Sequence, residues 1–346
     1  MKILISYGFR NPYPPIGVFC YKAFKKLGCK VDIFNSRIEN PILKKINKLS
    51  KKIDWKITKL DHKERINNLL MQRVSKLKPD ILLEIGGHFL YPGTLKWLRE
   101  SYPTKLVLWA TERSSDVEDK NFFTELTAYD YIFSTANYAV KILKERGIKN
   151  IHYLPFATDI DFYKKTKLSN KDLNKYNCDI GFIGAYDENR EKILKNLMHF
   201  NLNIWGTGWN RLSDERFNLF VKGNSGLYGK NVVKFYNTAK INLSIIQEKY
   251  KLYLSGLDLR TFDIPACQAF LITQYVDEIP QAFEIGREIE VFNSPEELTD
   301  KIKFYLRNDA KRREIARMGY LRICENHTFK KRAQEMLSLL NLHIQR

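Results

Sequence analysis

Two charged residues, Arg260 and Asp263, stand three positions apart in the otherwise apolar stretch GLDLRTFDIPACQAFLIT (256–273). A guanidinium can bind phosphate through paired N–H donors, and a carboxylate can accept hydrogen bonds from two adjacent ribose hydroxyls. Because proline suits only the first turn of a helix, Pro265 predicts a helix that begins near residues 263–265. Either Asp263 and Arg260 bind a nucleotide, or Asp263 caps this helix and Arg260 pairs with it.

A second pattern that could bind an anion is FIGAYDENREKIL (182–194), in which a strand, Gly184 and a helix follow one another. Arg190 falls in the first turn of that helix. Helix N-terminal amides together with one guanidinium suit a diphosphate. An arginine at this position can equally be a solvated surface residue, and the pattern alone leaves both interpretations open.

Several other kinds of site lack their signatures. The sequence contains no G-x-G-x-x-G, no GK[ST] phosphate loop and no HExxH, so it predicts neither a dinucleotide cofactor nor a metal. Asp159 and Asp161 have the Asp-x-Asp spacing of a metal site but stand in a polar, Lys- and Asn-rich stretch. We therefore expect no metal ion and no cofactor.

The elements that must position these residues alternate along the chain. Short apolar strands such as KILISY, DILLEIGG, CDIGFIG and INLSII are separated by helical patterns, which predicts parallel sheets covered on both faces. Ser294, Pro295 and Glu297 form a capping-box signature for one of the helices. We predict two doubly wound α/β domains that face a central cleft, with ligands bound beyond the carboxyl ends of the strands.

The predicted boundaries follow these patterns. Residues 1–160 form an N-terminal Rossmann-like domain, 161–177 an irregular linker, 178–325 a second domain of the same kind, and 326–346 a terminal helix. A length of 346 residues and 44% apolar content suit two globular domains. No apolar run is long enough to cross a membrane, and five scattered cysteines without a CxxC pair predict reduced thiols in a cytoplasmic protein.

The net charge of +19 is concentrated near the N-terminus, where residues 22–78 carry 17 basic and 5 acidic side chains. The segment PILKKINKLSKKIDWKITKL (41–60) combines an apolar stripe with seven lysines, which is typical of a helix that lies on an anionic membrane surface. Its apolar face could instead pack on the first domain. Nucleic-acid binding is not expected, because the sequence has neither a known reading module nor aromatic residues interleaved with basic ones.

The stretch from Leu259 to Leu337 closely resembles the C-terminal part of the CgeB-like (spore maturation protein B-like) glycosyltransferases, which have the GT-B architecture. An Arg-x-Phe-acid-x-x-Ala pattern, a strand, the capped helix and a closing His-Thr occur in the family's order. A weaker likeness extends back to about residue 66. Two positions depart from the family, because Asp263 replaces Glu and Gln268 replaces Gly. In addition, the Glu-x7-Glu pattern of one large retaining group would need a carboxylate at Ser255.

The resemblance implies a nucleotide-sugar donor bound mainly by the second domain. Asp263 would hold the ribose and Arg190 the diphosphate, the segment around LYGKNV (227–232) would border the base, and the terminal helix would cross back to the first domain. The residues predicted to bind the donor are Gly184, Arg190, Tyr228, Gly229, Arg260 and Asp263.

The acceptor would lie on the first domain, where Glu112 and His88 follow strand ends and are the candidate catalytic residues. The sequence therefore predicts a metal-independent glycosyltransferase whose acceptor is a hydroxyl group of a glycan, a lipid-linked glycan or a protein. Retention or inversion stays open. The alternatives are a GT-B relative that only binds a nucleotide sugar, an epimerase and, less favoured, a nucleic-acid-binding protein.

Overall fold

The computed structural model describes residues 1–8, 16–36, 55–87, 90–111, 120–212, 214–223, 225–247 and 256–342, with the backbone alone for 55–62 and 120–121. These residues divide into two compact units. The first unit holds 1–8, 16–155 and 333–342, and the second holds 156–332. The chain therefore passes from one unit to the other at 155–156 and returns at 332–333.

The first unit is built on one six-stranded parallel sheet with the order β2-β1-β3-β4-β5-β6. Its strands are β1 (Lys2–Tyr7), β2 (Lys30–Asn35), β3 (Ile81–Ile85), β4 (Lys105–Ala110), β5 (Tyr131–Ser134) and β6 (Ile151–Tyr153). Its helices are α1 (Ile16–Lys26), α2 (Trp55–Leu77), α3 (Pro92–Ser101), α4 (Lys120–Leu126) and α5 (Asn137–Glu145). All six strands coincide with predicted ones.

The second unit has its own six-stranded sheet, with the order β12-β11-β10-β7-β8-β9 and all pairs parallel. Its strands are β7 (Ile180–Ile183), β8 (Leu202–Trp205), β9 (Val221–Gly223), β10 (Ile241–Ser244), β11 (Leu271–Gln274) and β12 (Glu290–Phe292). The three-residue edge strands β9 and β12 are absent from the sequence prediction, whereas the equally short β6 lies within the longer, largely apolar run IHYLPF and was predicted.

Nine helices are described from the second unit onward. They are α6 (Asn170–Tyr176), α7 (Glu188–Lys195), α8 (Glu215–Asn218), α9 (Lys230–Thr238), α10 (Leu259–Ala266), α11 (Ile279–Ala282), α12 (Pro295–Arg307), α13 (Asp309–Asn326) and α14 (Phe329–Leu339). Helix α14 starts in the second unit, and from Ala333 onward it belongs to the first. The prediction of two doubly wound parallel-sheet domains is confirmed.

The predicted cap of α12 forms as expected. Ser294 is the N-cap and accepts a hydrogen bond from the backbone N–H of Glu297 at 3.2 Å, with Pro295 in the first turn. The carboxylate of Glu297 reaches back to the N–H of Asn293 at 2.8 Å, one residue before the cap. Two N–H groups at this helix start are thus satisfied by side chains.

The prediction of an irregular linker over 161–177 is wrong. Residues 170–176 form α6, whose N-cap Ser169 makes a capping box with Asp172. Asp172 also pairs with Lys234 at 2.8 Å, and Tyr176 is buried. The segment belongs to the second unit because its cap, ion pair and aromatic side chain all find partners there.

Candidate functional site

The crevice between β7 and β10 is the point where the second sheet reverses its direction of growth. From β7 the chain adds β8 and β9 on one side, and it then adds β10, β11 and β12 on the other. The segments that follow β7 and β10 therefore leave the sheet in opposite directions. In open parallel sheets such a reversal leaves a crevice at the carboxyl ends of the strands, where ligands bind.

Helix α10 begins four to six residues earlier than predicted. Its N-cap is Asp258, whose side chain accepts a hydrogen bond from the N–H of Thr261 at 3.1 Å. Pro265 lies next to the end of the helix, so the hydrogen bond that it lacks is one of the last in the helix. The predictions that Asp263 caps this helix and pairs with Arg260 are both wrong.

Arg260 instead pairs with Asp258. Its Nε lies 2.9 Å from Oδ2 of Asp258, a terminal amino group bonds the same oxygen, and the other donates to the carbonyl of Ile183 at the end of β7. Burial alone raises the pKa of Asp258, but the Arg260 charge and hydrogen bonds outweigh it and lower that pKa. These bonds use three of the five guanidinium N–H groups, which leaves two for a ligand.

Arg190 lies at the other side of the crevice. Its Nε donates to the carbonyl of Ile245, just after β10, at 2.9 Å, and a terminal amino group donates to the carbonyl of Ala185 at 3.0 Å. The residue is only 5% exposed, so the interpretation as a solvated surface arginine is wrong. The guanidinium carbons of Arg190 and Arg260 lie 5.5 and 5.6 Å from the ring centre of Phe182, so both cations contact one aromatic ring.

Glycines make this arrangement possible. A Cβ on Gly184 would lie 2.8 Å from a terminal nitrogen of Arg260 and 2.7 Å from the Phe182 ring. A Cβ on Gly206 would lie 1.8 Å from the carbonyl oxygen of Gly184, which also accepts a hydrogen bond from the Trp209 indole at 2.8 Å. The loops after β7 and β8 thus pack backbone against backbone, and a side chain at Gly184 would collide with the guanidinium of Arg260.

Asp263 lies one helical turn beyond Arg260 but has different partners. Its Oδ1 accepts a hydrogen bond from the hydroxyl of Thr158 at 2.7 Å, Tyr163 provides a second bond, and the residue is 4% exposed. Burial raises the pKa of Asp263 well above its usual range, although the bonds from Thr158 and Tyr163 lower it.

The closing His-Thr of the sequence pattern holds the same region together. His327 is buried between Phe262 and Phe283, and its Nε2 is 2.9 Å from the carbonyl oxygen of Ala282. Its Nδ1 accepts from Arg332 at 2.9 Å, which fixes the ring as the Nε2–H tautomer. Burial lowers the pKa of His327 to about 4, so the ring is neutral.

Backbone pairing extends this anchor to the hydroxyl partner of Asp263. Thr328 forms a parallel bridge with Thr158, in which the N–H of Thr158 donates to the carbonyl of His327 at 3.1 Å. The resemblance singles out His-Thr but not its role. The signal available in the sequence was a single His-Thr pair at a helix start, which does not reveal partners distant along the chain.

The remaining predicted residues are placed as follows. Tyr228 and Gly229 follow β9, two strands away from β7, and Gly229 precedes α9 with φ at 59°. His88 and Glu112 lie outside the described residues, as does most of the basic segment 41–60. The structure thus brings Gly184, Arg190 and Arg260 together at one crevice.

In the described part of the chain, no three His, Cys, Asp or Glu side chains are arranged to hold a metal ion. None of the described helices is both long enough and apolar enough to cross a membrane.

Comparisons with known proteins point to glycosyltransferases. Residues 190–338 match the family described as glycosyl transferase-like. The chain is 22% identical to the spore protein CgeB of Bacillus subtilis over 273 residues, which cover 75% of this chain and 82% of that protein. The resemblance to CgeB-like glycosyltransferases is confirmed.

Solved structures share the fold over nearly the whole chain. Sucrose-phosphate synthase from Thermosynechococcus elongatus superposes with a TM-score of 0.70 at 12% identity, covering 98% of both chains. Anabaena HepE in complex with UDP and glucose gives a TM-score of 0.63 at 11% identity, covering 99% of both chains. These neighbours establish the two-domain GT-B fold.

Proposed function

We propose that this chain, a CgeB-like glycosyltransferase of GT-B fold, binds a nucleoside-diphosphate sugar at the crevice between β7 and β10 and transfers the sugar to an acceptor hydroxyl. The observation that carries the proposal is the pair of guanidinium groups, Arg190 and Arg260, on the ring of Phe182 at this crevice. Two fixed cations beside the carboxyl ends of parallel strands suit a diphosphate.

The chemistry follows from where the charge develops. The bond between the anomeric carbon and the diphosphate oxygen breaks, the acceptor oxygen forms the new bond, and the diphosphate leaves with additional negative charge. Arg260 is already oriented by Asp258 and the carbonyl of Ile183, so little reorganisation is needed when that charge appears. Its two remaining N–H groups are the proposed donors to the leaving group.

We propose that the transfer needs no metal ion, so the cationic side chains alone neutralise the charge of the leaving group. Transfer to a hydroxyl also requires a proton acceptor, for which Glu112, with His88 as the alternative, is proposed from the sequence. We expect full activity after dialysis against EDTA. Restoration of a lost activity by Mg²⁺ or Mn²⁺ would contradict metal independence without affecting the proposed donor.

A uridine nucleotide is the proposed donor class, because the structural neighbour HepE was solved with UDP and glucose. The ribose role of Asp263 is also a proposal. It requires the carboxyl group to exchange its bonds with Thr158 and Tyr163 for bonds with the sugar. The bonds seen in the structure favour a positioning role for Asp263 within the second unit.

The test is a thermal-shift series with UDP, GDP, dTDP and CMP, followed by product analysis with the matching nucleotide sugar. A nucleotide at 100 times its dissociation constant should stabilise the protein by about 2.7 kcal/mol. We expect Arg260→Lys to weaken the shift, because lysine keeps the charge but lacks the planar fork. Arg287→Lys, at an exposed ion pair with Glu284, is the control. If none of the four nucleotides raises the unfolding temperature, the proposal is overturned.

The proposed class of acceptor is inferred from the sequence alone. A lipid-linked acceptor would suit attachment of the basic segment 41–60 to an anionic membrane. We expect the protein to float with liposomes that contain anionic lipid at low salt. Flotation that is equally weak with neutral and with anionic lipid would exclude this attachment.

A further inference from the structure

A cavity of about 470 Å³ opens at the other edge of the second sheet, at the amino ends of β10 and β11. Ala239 and Lys240 immediately precede β10, and Ala269 and Phe270 immediately precede β11. The candidate donor crevice lies at the carboxyl ends of the same sheet. The two sites are thus separated by strands of four residues, a length of roughly 13 Å.

The walls of this cavity are strongly basic. Five basic side chains and one carboxylate line it, an excess of four positive charges: Lys165, Lys240, Arg312, Arg313, Arg317 and Asp309. The carboxylate is already shared, because Asp309 pairs with both Arg312 and Arg313. Lys240 pairs with Asp179, which lies outside the lining, at 2.7 Å. Lys165 and Arg317 form no ion pair with any described residue.

The cavity is also lined by four buried apolar residues. Ala239, Ala269, Phe270 and Ala316 are all buried and contribute no charge. Small-molecule pockets combine apolar residues with polar groups, and the volume of this cavity lies within their usual range of about 300–1,000 Å³.

Gln268 supplies an independent observation. It lines the cavity in the turn between α10 and β11 with φ at 53°, in the left-handed region where glycine is the unstrained residue. Its side-chain amide makes no hydrogen bond to any described residue. Backbone strain of this kind is often found at ligand-binding positions, and the unbonded amide could form a hydrogen bond with a ligand.

From the cavity, its charge and Gln268, we infer that this is a second ligand site, which binds a small phosphorylated molecule such as a sugar phosphate. Phosphate oxygens would accept from Lys165 and Arg317, and the amide of Gln268 would bond a hydroxyl group of the ligand. This inference does not depend on the identity of the donor, because no residue of the donor crevice lines the cavity.

The test uses the full-length protein with its donor crevice saturated by UDP, so that phosphate binding at Arg260 does not contribute. If UDP does not bind, Arg260→Met removes that contribution instead. Glucose 1-phosphate, glucose 6-phosphate and fructose 6-phosphate are titrated by calorimetry at low and at physiological salt. We expect saturable binding of at least one of them, weaker at higher salt. No saturable binding of any of the three up to about 10 mM, a concentration chosen to cover weak affinities of the millimolar range, would overturn the inference.

Variants then locate the site. The double charge reversal Lys165→Glu with Arg317→Glu should weaken binding at least tenfold, on the order of 1.4 kcal/mol or more. The control Lys330→Glu makes the same kind of change at an exposed position on α14, outside the cavity. We expect it to change the dissociation constant by less than about twofold, within the ordinary range of surface substitutions. Equal losses in the double variant and the control would place the binding elsewhere.

Gln268→Gly separates a ligand contact from a structural role. Glycine relieves the left-handed strain, so the Tm without ligand should stay the same or rise. Binding of the sugar phosphate should nevertheless weaken, because the amide is lost. A lower Tm, or unchanged affinity, would show that Gln268 serves the turn and not a ligand.

Discussion

Asp258 and Arg260 form an ion pair across the first turn of α10, and the same carboxylate starts that helix. Oδ1 of Asp258 accepts from the N–H of Thr261, while Oδ2 accepts from Arg260 and from the hydroxyl of Ser244 at 2.9 Å. One carboxylate therefore ties the helix start, the end of β10 and the guanidinium to each other. The position of Arg260 is set by the fold before any ligand binds.

Loss of the guanidinium should affect stability and activity separately. Arg260→Met leaves Asp258 largely buried without its cationic partner, and we expect a loss of roughly 2–4 kcal/mol because the pair is partly shielded from solvent. Adding Asp258→Asn removes the uncompensated charge and keeps a good N-cap, so most of this stability should return. Urea unfolding of the three proteins measures both changes.

The double variant Arg260→Met with Asp258→Asn should regain stability but not activity. Because the leaving group needs the guanidinium itself, Arg260→Met and the double variant should both lack donor hydrolysis and transfer. A double variant that is stable and fully active would remove the phosphate role from Arg260.

The buried hydrogen bond between Thr158 and Asp263 predicts that Asp263→Asn is tolerated while Asp263→Ala is not. Asparagine preserves the acceptor for Thr158, whereas alanine leaves buried hydroxyl groups unpaired at a cost of roughly 1–3 kcal/mol. Burial raises the pKa of Asp263, so the unfolded chain loses this proton at lower pH than the folded chain does. Wild-type stability should therefore fall relative to Asp263→Asn as pH rises above about 4, the ordinary value for Asp.

Donor binding by the same variants distinguishes the two roles of Asp263. If it positions the second unit through Thr158, Asp263→Asn should keep its nucleotide-induced thermal shift. A shift lost in Asp263→Asn, with unchanged stability, would instead support direct contact with the ribose.

The buried, neutral His327 should make the protein less stable at acid pH. Burial lowers its pKa from 6.5 to about 4, so the folded protein binds this proton only at lower pH than the unfolded chain does. The resulting stability is fully present above pH 6.5 and is lost as pH falls towards 4. The loss should be about 3 kcal/mol, at 1.36 kcal/mol for each pKa unit.

Denaturant unfolding between pH 7 and pH 4 measures this effect. His327→Gln should be less stable at pH 7 and show a shallower pH dependence over that range. His199→Gln, at an exposed histidine, is the control and should keep the wild-type slope. Parallel pH profiles for wild type and His327→Gln would contradict the role assigned to the ring.

The contact between the loops after β7 and β8 predicts that Gly206→Ala is severely destabilising. The added Cβ would overlap the carbonyl oxygen of Gly184 at 1.8 Å, and backbone atoms on both sides leave little room for adjustment. We expect a loss of roughly 3 kcal/mol or more. Gly93→Ala is the matched control, since a Cβ there meets nothing within 4 Å, and its Tm should be unchanged or higher.

The parallel sheets could be predicted because buried strands have continuous apolar runs that need no tertiary information. Helix α6 was not predicted although Ser169 and Asp172 have capping-box spacing, because the Lys- and Asn-rich composition of 161–177 outweighed the local signal. The start of α10 was missed because a general rule places Pro265 in a first turn. In this fold Pro265 packs against α13, where Gly319 allows close approach: a Cβ on Gly319 would lie 3.3 Å from that of Pro265.

The crevice itself was only partly predictable. Gly184, Arg190 and Arg260 follow strand ends, which is visible in the sequence. The acceptors that orient the arginines are carbonyl groups of Ile245 and Ile183, and any residue type has a carbonyl. A sequence therefore names the cations but not the backbone atoms that fix them.

Helix α10 connects the candidate donor crevice with the second cavity, which bears on how ligands at the two sites affect each other. Arg260 stands in its first turn and Gln268 just beyond its last residue, about 12 Å apart along an axis that rises 1.5 Å per residue. If a ligand that binds at one end of α10 displaces the helix, it changes the binding free energy of a ligand at the other end. Linkage then requires reciprocity: whatever factor a sugar phosphate applies to the dissociation constant of the nucleotide, the nucleotide applies to that of the sugar phosphate. Titrating each ligand at saturation with the other gives two factors that must be equal, and −RT times the logarithm of that common factor is the coupling free energy across this eight-residue helix.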